Sequence, residues 1–434
     1  MALDLEGLLS RIERADPVRV QGRVRAIVGL SVRAVIPGVR LGEMVRIERR
    51  EAPPLDAEVV GFVDDDAMLM PLGSAEGVGP DDPVRPTGRP LRITCSEALL
   101  GRVLDGLGRP LDGLEAPADG EPWDVMRRPP NPMTRPRIER PLPLGLRAVD
   151  GLLTVGEGQR VGLFAGSGVG KSTLLGQIAR QAEADVFVAC LIGERGREVR
   201  EFLEDALGDE GRRRGVVVVA TSDAPALVRM QSAYVATAIA EWFRDRGRSV
   251  LLMMDSVTRF ARAGREVGLA AGEAPARRGY PPSVFAALPS LLERSGTSER
   301  GAITAFYTVL VEGGDMEEPI ADEVRGILDG HVVLERELAA RGHFPAIDVL
   351  QSLSRVMDAV TSDEHRAAAR RLRELLATYE SKRDLISLGA YKKGTDPRVD
   401  EAIAHIDAIE AFLRQATTER SELDETVRAL ARIG

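Results

Sequence analysis

One short segment of the sequence has the residue types and spacing of a phosphate-binding loop. The pattern G-x-x-x-x-G-K-[ST] runs over positions 165–172, with Ala165 in the first glycine place. Glycines let backbone N–H groups curl around phosphate oxygens, and the helix that follows directs its N-terminal donors at them. Lys171 would pair with the β- and γ-phosphates of ATP, and the Ser172 hydroxyl would bind Mg²⁺. The candidate nucleotide-binding residues are Gly166, Ser167, Gly168, Val169, Gly170, Lys171, Ser172 and Thr173.

Two further segments carry acids that could complete this chemistry. Asp255 ends the apolar stretch SVLLMMD and would hold the Mg²⁺ through water, together with Ser172. Glu194 and Arg195 come just after the apolar stretch DVFVACLI. A carboxylate there could orient and polarise the attacking water, and an arginine beside it could reach the γ-phosphate. On spacing alone, a solvated charged loop is an equally good reading of this second segment.

A sheet is needed to bring the candidate phosphate-binding and acidic segments together. Between Gly156 and about Ser354, apolar segments alternate with helical ones. Continuous apolar strands separated by helices predict a parallel sheet that is covered on both faces. The predicted strands are RVGLFAG, DVFVACLIG, GVVVVAT, SVLLMMD and AITAFYTVL. A Gly- and Pro-rich run over residues 264–282 is predicted to be a long functional loop.

The regions on either side of this α/β unit differ from it in pattern. Residues near 3–15 have leucines at helical spacing, and residues 18–93 have short Val/Ile-rich pieces broken by Gly and Pro, typical of a small β-barrel. Six prolines crowd an extended connector, and the tail from Asp363 keeps helical spacing. The predicted domains are an amphipathic helix (1–17), a β-barrel (18–93), an ATPase domain (94–358, connector 127–145) and a helical domain (359–434).

Composition excludes several classes of protein. Lys plus Arg total 58 against 67 Asp plus Glu, a formal charge of -9, which argues against a protein that coats nucleic acid. Two cysteines make no disulfide framework, and with no C-x-x-C or paired histidines a structural metal site is not expected. The N-terminus is not a signal peptide, and the longest apolar run, near residues 250–254, is too short to span a bilayer. We therefore expect a cytosolic protein with no nucleic-acid partner.

Several segments together resemble the catalytic-type subunits of the rotary ATPases. They are GERGREV, AGSGVGKST and PAIDVLQSLS, the last of which fits the family signature P-[SAP]-[LIV]-[DNH]-x-x-x-S-x-S without a departure. Longer stretches, such as LVEGGDMEEPIADEVRGILDGHVVLERELAARGHFPAIDVLQSLSRVM, resemble the type III export ATPases, and among those most nearly the flagellum-specific ATPase. The resemblance runs from about residue 20 to about residue 400.

This resemblance implies a fold and a set of residue roles. The fold is an N-terminal β-barrel, a RecA-like P-loop NTPase core with a parallel sheet, and a C-terminal helical domain. Glu194 matches the catalytic glutamate, and Arg195 and Arg259 match arginines near the γ-phosphate. Arg355 matches the arginine finger, which acts on the nucleotide of a neighbouring subunit. Because one chain carries loop, glutamate and finger, identical copies could complete one another's sites, which predicts a homo-hexameric ring.

The resemblance also implies an activity and partners. The activity is Mg-ATP hydrolysis coupled to chaperone release and to the export of flagellar proteins. The partners are a stator-like regulator at the N-terminal helix, a coiled-coil stalk protein in the ring, an export gate and chaperone–substrate complexes. The expected location is the cytoplasm, with peripheral attachment to the inner membrane through the export apparatus.

Three other interpretations remain beside this one. The first is the ATPase of a virulence-type (injectisome) secretion system, which the core motifs barely separate from the flagellar one. The second is a RecA-like ring helicase, which needs an aromatic platform for single strands; residues 18–93 contain only Phe62, which counts against it. The third is a noncatalytic ring subunit, and the presence of Glu194 with Lys171 argues against that.

Overall fold

The computed structural model describes residues 20–433, and the amphipathic helix predicted over residues 1–17 lies outside this range. The described chain forms two compact units. The first contains the described residues up to Leu91 together with Leu269–Gly272, and the second contains Arg92–Gly268 and the chain from Glu273 onward.

Six short strands form a closed antiparallel barrel in the first unit. They are β1 (Gly22–Val28), β2 (Ser31–Val35), β3 (Met44–Ile47), β4 (Leu55–Val63), β5 (Asp66–Pro71) and β6 (Pro83–Pro86). Around the barrel their order is β1–β2–β5–β4–β3–β6. Along β4, Leu55, Ala57 and Val59 are buried while the residues between them are partly exposed, as a strand with one face on a core requires. The predicted β-barrel is confirmed.

The second unit is built on a largely parallel sheet. Its strands are β7 (Arg92–Cys95), β8 (Val103–Asp105), β9 (Glu121–Asp124), β10 (Arg160–Ala165), β11 (Val186–Glu194), β12 (Gly215–Thr221), β13 (Ser249–Asp255), β14 (Gly296–Thr297), β15 (Ala302–Leu310), β16 (Gly330–Leu334) and β17 (Ile347–Ser354). The main sheet has the order β17–β16–β10–β15–β13–β11–β12–β8, with β14 on β15, while β7 pairs with β9. From β16 to β8 all neighbours are parallel, and β17 is antiparallel to β16. The predicted parallel sheet is confirmed.

Helices connect and follow these strands. They are α1 (Arg147–Leu152), α2 (Lys171–Gln181), α3 (Gly196–Glu201), α4 (Gly208–Arg213), α5 (Ala226–Arg244), α6 (Val257–Ala270), α7 (Pro282–Leu292), α8 (Pro319–Ile327), α9 (Arg336–Ala340), α10 (Met357–Val360), α11 (Asp363–Glu380), α12 (Arg383–Ser387), α13 (Pro397–Leu413) and α14 (Leu423–Ala431). A π-helical turn (Phe202–Leu207) joins α3 to α4. Within residues 20–433, no helix combines the length and apolarity that crossing a bilayer requires.

The prediction of a long loop over residues 264–282 is wrong for residues 264–270, which are helical. Helix α6 continues to Ala270, and irregular chain follows before α7 begins at Pro282. Gly264 and Gly268 misled the prediction, because both are buried inside the helix rather than in a turn. A Cβ atom on Gly268 would lie 2.8 Å from Pro281, so this glycine allows the returning chain to pack closely on the helix.

The C-terminal helices share one hydrophobic core with the sheet. Leu372 and Leu376 of α11 and Phe412 of α13 are buried in the same cluster as Leu152 of α1 and Leu163 of β10. Their spacing on the helices places one apolar stripe against the core. The predicted C-terminal helical domain is confirmed, and it packs on the element that precedes β10.

The order of the strands places the chemistry at one edge of the sheet. The phosphate loop follows β10, Glu194 ends β11 and Asp255 ends β13, and these strands run parallel. Parallel strands end at the same edge, where ligands of open α/β sheets bind. Strand β17 runs the other way, so its last residues lie at the opposite edge.

Candidate active site

The loop of residues 166–170 has two positions whose backbone only glycine adopts without strain. Gly168 has a φ of 78° and Gly170 a φ of 87°, both in the left-handed region that a Cβ atom disfavours. Lys171 is the first residue of α2, so the free N–H groups of that helix's first turn lie beside the loop. This geometry suits the binding of phosphate oxygens.

Lys171 lies between two buried carboxylates. Its Nζ forms an ion pair with Oδ1 of Asp255 and is 3.9 Å from Oε1 of Glu194. None of the three side chains is more than 12% exposed. Thr308 of β15 donates a hydrogen bond of 2.7 Å from its Oγ1 to Oδ1 of Asp255, which fixes that carboxylate. The structure thus brings together groups from four separate segments of the chain.

Arg259 of α6 holds Glu194 from the other side. Its Nη1 is 2.9 Å from Oε2 of Glu194, and it also donates to the carbonyl of Gly193. Gly193 has a φ of 65° and lies where the pairing of β11 with β12 shifts register, between Ile192 and Glu194. A Cβ atom here would lie 3.0 Å from Cδ of Arg259. Gly193 therefore allows the strand to bulge and the arginine to approach.

Burial raises the pKa of Glu194 to about 7. A hydrogen bond with Glu198 and the negative charge of Asp255 raise it as well, while Lys171 and Arg259 act in the opposite direction. The hydrogen bond with Glu194 lowers the pKa of Glu198. The two carboxyls interact, so a proton near neutral pH belongs to the pair, and burial places it on Glu194.

An open cleft of about 850 Å³ adjoins this cluster. Ser167, Ser172 and Thr173 line it with exposed side chains. Val169, in contrast, is buried at 2% exposure and belongs to the hydrophobic core. Among the predicted loop residues, Val169 is therefore the one that does not line the cleft.

Four arginines line the same cleft, and two of them, Arg195 and Arg259, were predicted from the sequence. Arg195 is 76% exposed and pairs with Glu198, Nη1 to Oε1, at 3.3 Å. Arg262 and Arg336 were missed. A signal existed for Arg262, which follows Arg259 by three residues on α6 and so shares its helix face. Arg336 and Thr308 carry no local signal, because only the pairing of distant strands brings them to the site.

A second, largely apolar cavity of about 320 Å³ adjoins the phosphate loop and shares Gly170 and Thr173 with the cleft. The ring of Phe344, 45% exposed, lies 3.5 Å from where a Cβ atom on Gly170 would be. Ala416 and Thr417, from the loop after α13, line the cavity too. An apolar slot with an aromatic wall beside a phosphate site suits a nucleobase. The sequence analysis did not find Phe344 or this loop.

Arg355 is not brought to this site. It follows β17, and its N–H donates to the carbonyl of Asp329 at 2.9 Å. The N–H of Asp329 in turn donates to the carbonyl of Arg160, at the start of β10, also at 2.9 Å. The phosphate loop follows the other end of β10, whose six residues span about 17 Å. The Arg355 side chain is exposed. It is therefore too far from this site to contact a nucleotide bound by its own chain.

Comparison with known proteins assigns a family to this arrangement. Residues 145–354 match the nucleotide-binding domain of the ATP synthase alpha/beta family, and residues 24–88 match its beta-barrel domain. Residues 361–432 match the T3SS EscN ATPase C-terminal domain. A flagellum-specific ATP synthase of Bacillus subtilis is 52% identical over 98% of both chains. The chain belongs to the type III export ATPases of the ATP synthase alpha/beta family. Membership of this family makes it an ATP hydrolase.

Other relatives and a solved structure agree with this assignment. A type 3 secretion system ATPase of Sinorhizobium fredii is 54% identical over 99% of this chain and 95% of its own. The assembled ATPase EscN from the enteropathogenic E. coli type III secretion system superposes with a TM-score of 0.90 at 48% identity, over 95% of this chain and 99% of that one. EscN in complex with its central stalk EscO superposes with a TM-score of 0.89. The resemblance derived from the motifs is confirmed.

Proposed function

We propose that the chain is the Mg²⁺-dependent ATPase of the flagellar protein export apparatus, and that six identical copies form its working ring. The main observation in favour of a ring is the position of Arg355, which lies at the opposite edge of the sheet from Lys171 and Glu194 of the same chain. A site that needs all three is complete only between two copies, and a closed ring gives every copy such an interface. The assembled form of the related EscN supports this arrangement.

The residues of the site divide the binding of Mg-ATP between them. The loop N–H groups and Lys171 bind the phosphates, and the base enters the apolar cavity against Phe344. The Ser172 hydroxyl and the Asp255 carboxylate fit Mg²⁺, which prefers hard oxygen ligands, and these two would hold it. When bound, the ion supplies charge neutralisation on the phosphates.

The catalytic step then depends on Glu194, which its partners hold in place, and on two exposed arginines. Glu194, held by Arg259, orients a water molecule for in-line attack and accepts its proton. Arg195, on the rim of the cleft, extends towards the γ-phosphate. Arg355 of the neighbouring copy stabilises the charge that develops on the transferring phosphoryl group.

The raised pKa of Glu194 predicts the pH dependence of hydrolysis. We expect kcat/KM to rise with pH through a midpoint near 7, because this parameter reports the free enzyme and Glu194 must be ionised to accept a proton. Below that midpoint the carboxyl that burial keeps neutral cannot act as a base. A profile of kcat/KM measured from pH 5 to 9 checks this. A profile that stays nearly flat down to pH 5, as the ordinary glutamate pKa of about 4.3 predicts, would contradict it.

The proposal extends to partners and place. Residues 1–17 dock a stator-like regulator, and a coiled-coil stalk protein enters the ring, in keeping with the EscO stalk described for EscN. Chaperone–substrate complexes and the export gate are the other partners. The ring works in the cytoplasm, attached through the apparatus to the cytoplasmic face of the inner membrane. ATP hydrolysis releases chaperones from the proteins to be exported.

A second candidate function is that of an injectisome ATPase. The specific observation in its favour is that a type 3 secretion ATPase is as similar to this chain, at 54% identity, as the flagellar relative is, at 52%. Both candidates use the same chemistry and the same ring. They differ only in the exported proteins.

One experiment with two arms tests the proposal. With purified chain and Mg²⁺, ATP hydrolysis per subunit should rise cooperatively with protein concentration, because sites are completed between copies; sizing identifies the ring. No hydrolysis at any concentration contradicts the enzymatic part. In cells, deletion of the gene should abolish flagellar filaments. Filaments that persist while another type III secretion is lost would favour the injectisome.

A further inference from the structure

We propose that Gln415 is a positioning residue for the base half of the nucleotide site, and that without it the chain binds the triphosphate group but loses much of its affinity for ATP. The inference rests on the ATP site proposed above. It concerns the loop of residues 414–421, between α13 and α14, which we name the wall loop. Gln415 itself is 5% exposed and is placed to hold this loop rather than to touch the phosphates.

Every hydrogen-bonding group of the Gln415 side chain has a partner. Its Oε1 accepts from the N–H of Arg147 at 2.8 Å, and its Nε2 donates to the carbonyl of Gly145 at 2.7 Å and to that of Glu419 at 2.9 Å. A glutamine amide offers two donors and one acceptor group, so none of them is left over. The side chain thus joins the wall loop to residues 145–147 of the core and closes the loop on itself.

The backbone of Gln415 joins two sides of the apolar cavity. Its N–H donates to the carbonyl of Phe344 at 2.9 Å. Phe344 supplies the aromatic ring of the cavity, and Gln415 lines it together with the next residues of the wall loop, Ala416 and Thr417. The distance between these surfaces therefore depends on where Gln415 is held.

The wall loop is also tied to the helix that begins at the phosphate loop. Gln181 of α2 donates to the carbonyl of Glu419 at 2.9 Å, and Arg180 donates to that of Thr417 at 3.2 Å. Helix α2 carries Lys171 in its first turn. These hydrogen bonds therefore fix the position of the wall loop relative to both the phosphate site and Phe344. The sites for the base and for the phosphates thus keep a fixed distance and orientation.

This geometry matters more for the base than for the phosphates. The cavity is lined mainly by apolar groups, so affinity for a base comes from burial and ring contact, both of which fall steeply when a wall moves. The phosphates depend instead on the glycine loop, Lys171 and the first turn of α2, none of which Gln415 touches. Loss of Gln415 is thus expected to weaken the binding of the base and to leave the binding of the phosphates nearly unchanged.

Binding of two ligands to Gln415→Ala and Gln415→Met tests the proposal on the full chain with Mg²⁺. The ligands are the β,γ-imido analogue of ATP and inorganic triphosphate. We expect both variants to bind the ATP analogue about tenfold more weakly, as loss of buried hydrogen bonds predicts, and triphosphate within about twofold of the wild type. KM for ATP should rise while kcat at saturation changes little. Met keeps the volume of the side chain and removes its hydrogen bonds, so it separates bonding from packing.

Arg420→Ala is the matched control, because Arg420 lies on the same loop and pairs with the exposed side chains of Glu183 and Glu422. It should leave the affinities for both ligands unchanged. Equal losses of ATP analogue and triphosphate in the Gln415 variants, or an unchanged affinity for the analogue, would overturn the positioning role. Failure of the wild type to bind the ATP analogue would instead overturn the proposed nucleotide site.

Discussion

Arg355→Ala is expected to lower ATP turnover by roughly 10³–10⁵-fold while leaving the affinity for ATP near that of the wild type. The reason is geometric. Arg355 follows β17 at the edge of the sheet where β10 begins, and the phosphate loop follows the end of β10. An arginine so placed takes no part in binding the nucleotide of its own chain, yet its exposed guanidinium is available to a neighbouring copy. Steady-state turnover and nucleotide binding on the same preparation check both halves of the expectation.

Mixed rings decide whether Arg355 acts between chains. Co-assembly of Arg355→Ala with Glu194→Gln subunits should restore activity, although each variant alone is nearly inactive. An intact site forms wherever the first type supplies the nucleotide site and the second supplies the finger, which is about a quarter of the interfaces in a random ring. Arg398→Ala is a control on another exposed arginine, which pairs with Asp396, and should leave turnover unchanged. Mixed rings no more active than the separate variants would mean that Arg355 does not act in trans.

The parts of the site that are formed by residues close together in the chain could be predicted from the sequence. The glycine loop, Lys171 and the strands that end at Glu194 and Asp255 were predicted, because a strand, a turn and a helix follow one another within a few residues. The barrel was predicted for the same reason, since short Val/Ile-rich pieces broken by Gly and Pro are a local pattern. Apolar strands without alternation indicated a sheet buried on both faces, and that is what the second unit contains.

The parts that depend on tertiary packing could not be predicted. Thr308 reaches Asp255 only because β15 lies beside β13, and no motif marks it. Phe344 and the wall loop line one cavity although some 70 residues separate them in sequence. The helix over residues 264–270 was missed because glycines such as Gly264 and Gly268 are more typical of turns. For Thr308 and for the cavity, the deciding contact joins distant segments, and the spacing of residues in the sequence does not reveal it.

The electrostatics of Glu194 are a second property that only the structure supplies. In the sequence it is followed by Arg195 and Arg197, whose positive charges would lower its pKa. In the fold, burial and the carboxylates of Asp255 and Glu198 outweigh Lys171 and Arg259, and the pKa rises. A base with a pKa near the working pH is the better proton acceptor. Burial of this side chain at the end of β11 therefore serves the reaction directly.

Glu194→Gln is expected to lower turnover by about 10²–10⁴-fold without weakening ATP binding or ring formation. Glutamine has the same shape and keeps an oxygen for Arg259 to bind, so the cleft retains its form. It cannot accept the proton of the attacking water, and it removes a negative charge near the γ-phosphate, so ATP affinity should hold or increase. Single-turnover hydrolysis, nucleotide binding and sizing on one preparation measure the three quantities.

The matched control for this change is Glu201→Gln, seven residues further along the chain, where an exposed carboxylate pairs with Arg197. Its turnover and pH profile should follow the wild type, because neither partner lines the cleft. In Glu194→Gln, the residual activity should also lose the rise in kcat/KM around pH 7, since the group that titrates there is gone. A variant with near-normal turnover would mean that another group activates the water. A variant that is slow but keeps the pH midpoint would place the titrating base elsewhere in the cluster, with Glu198, which shares its proton with Glu194, as the next carboxylate to replace.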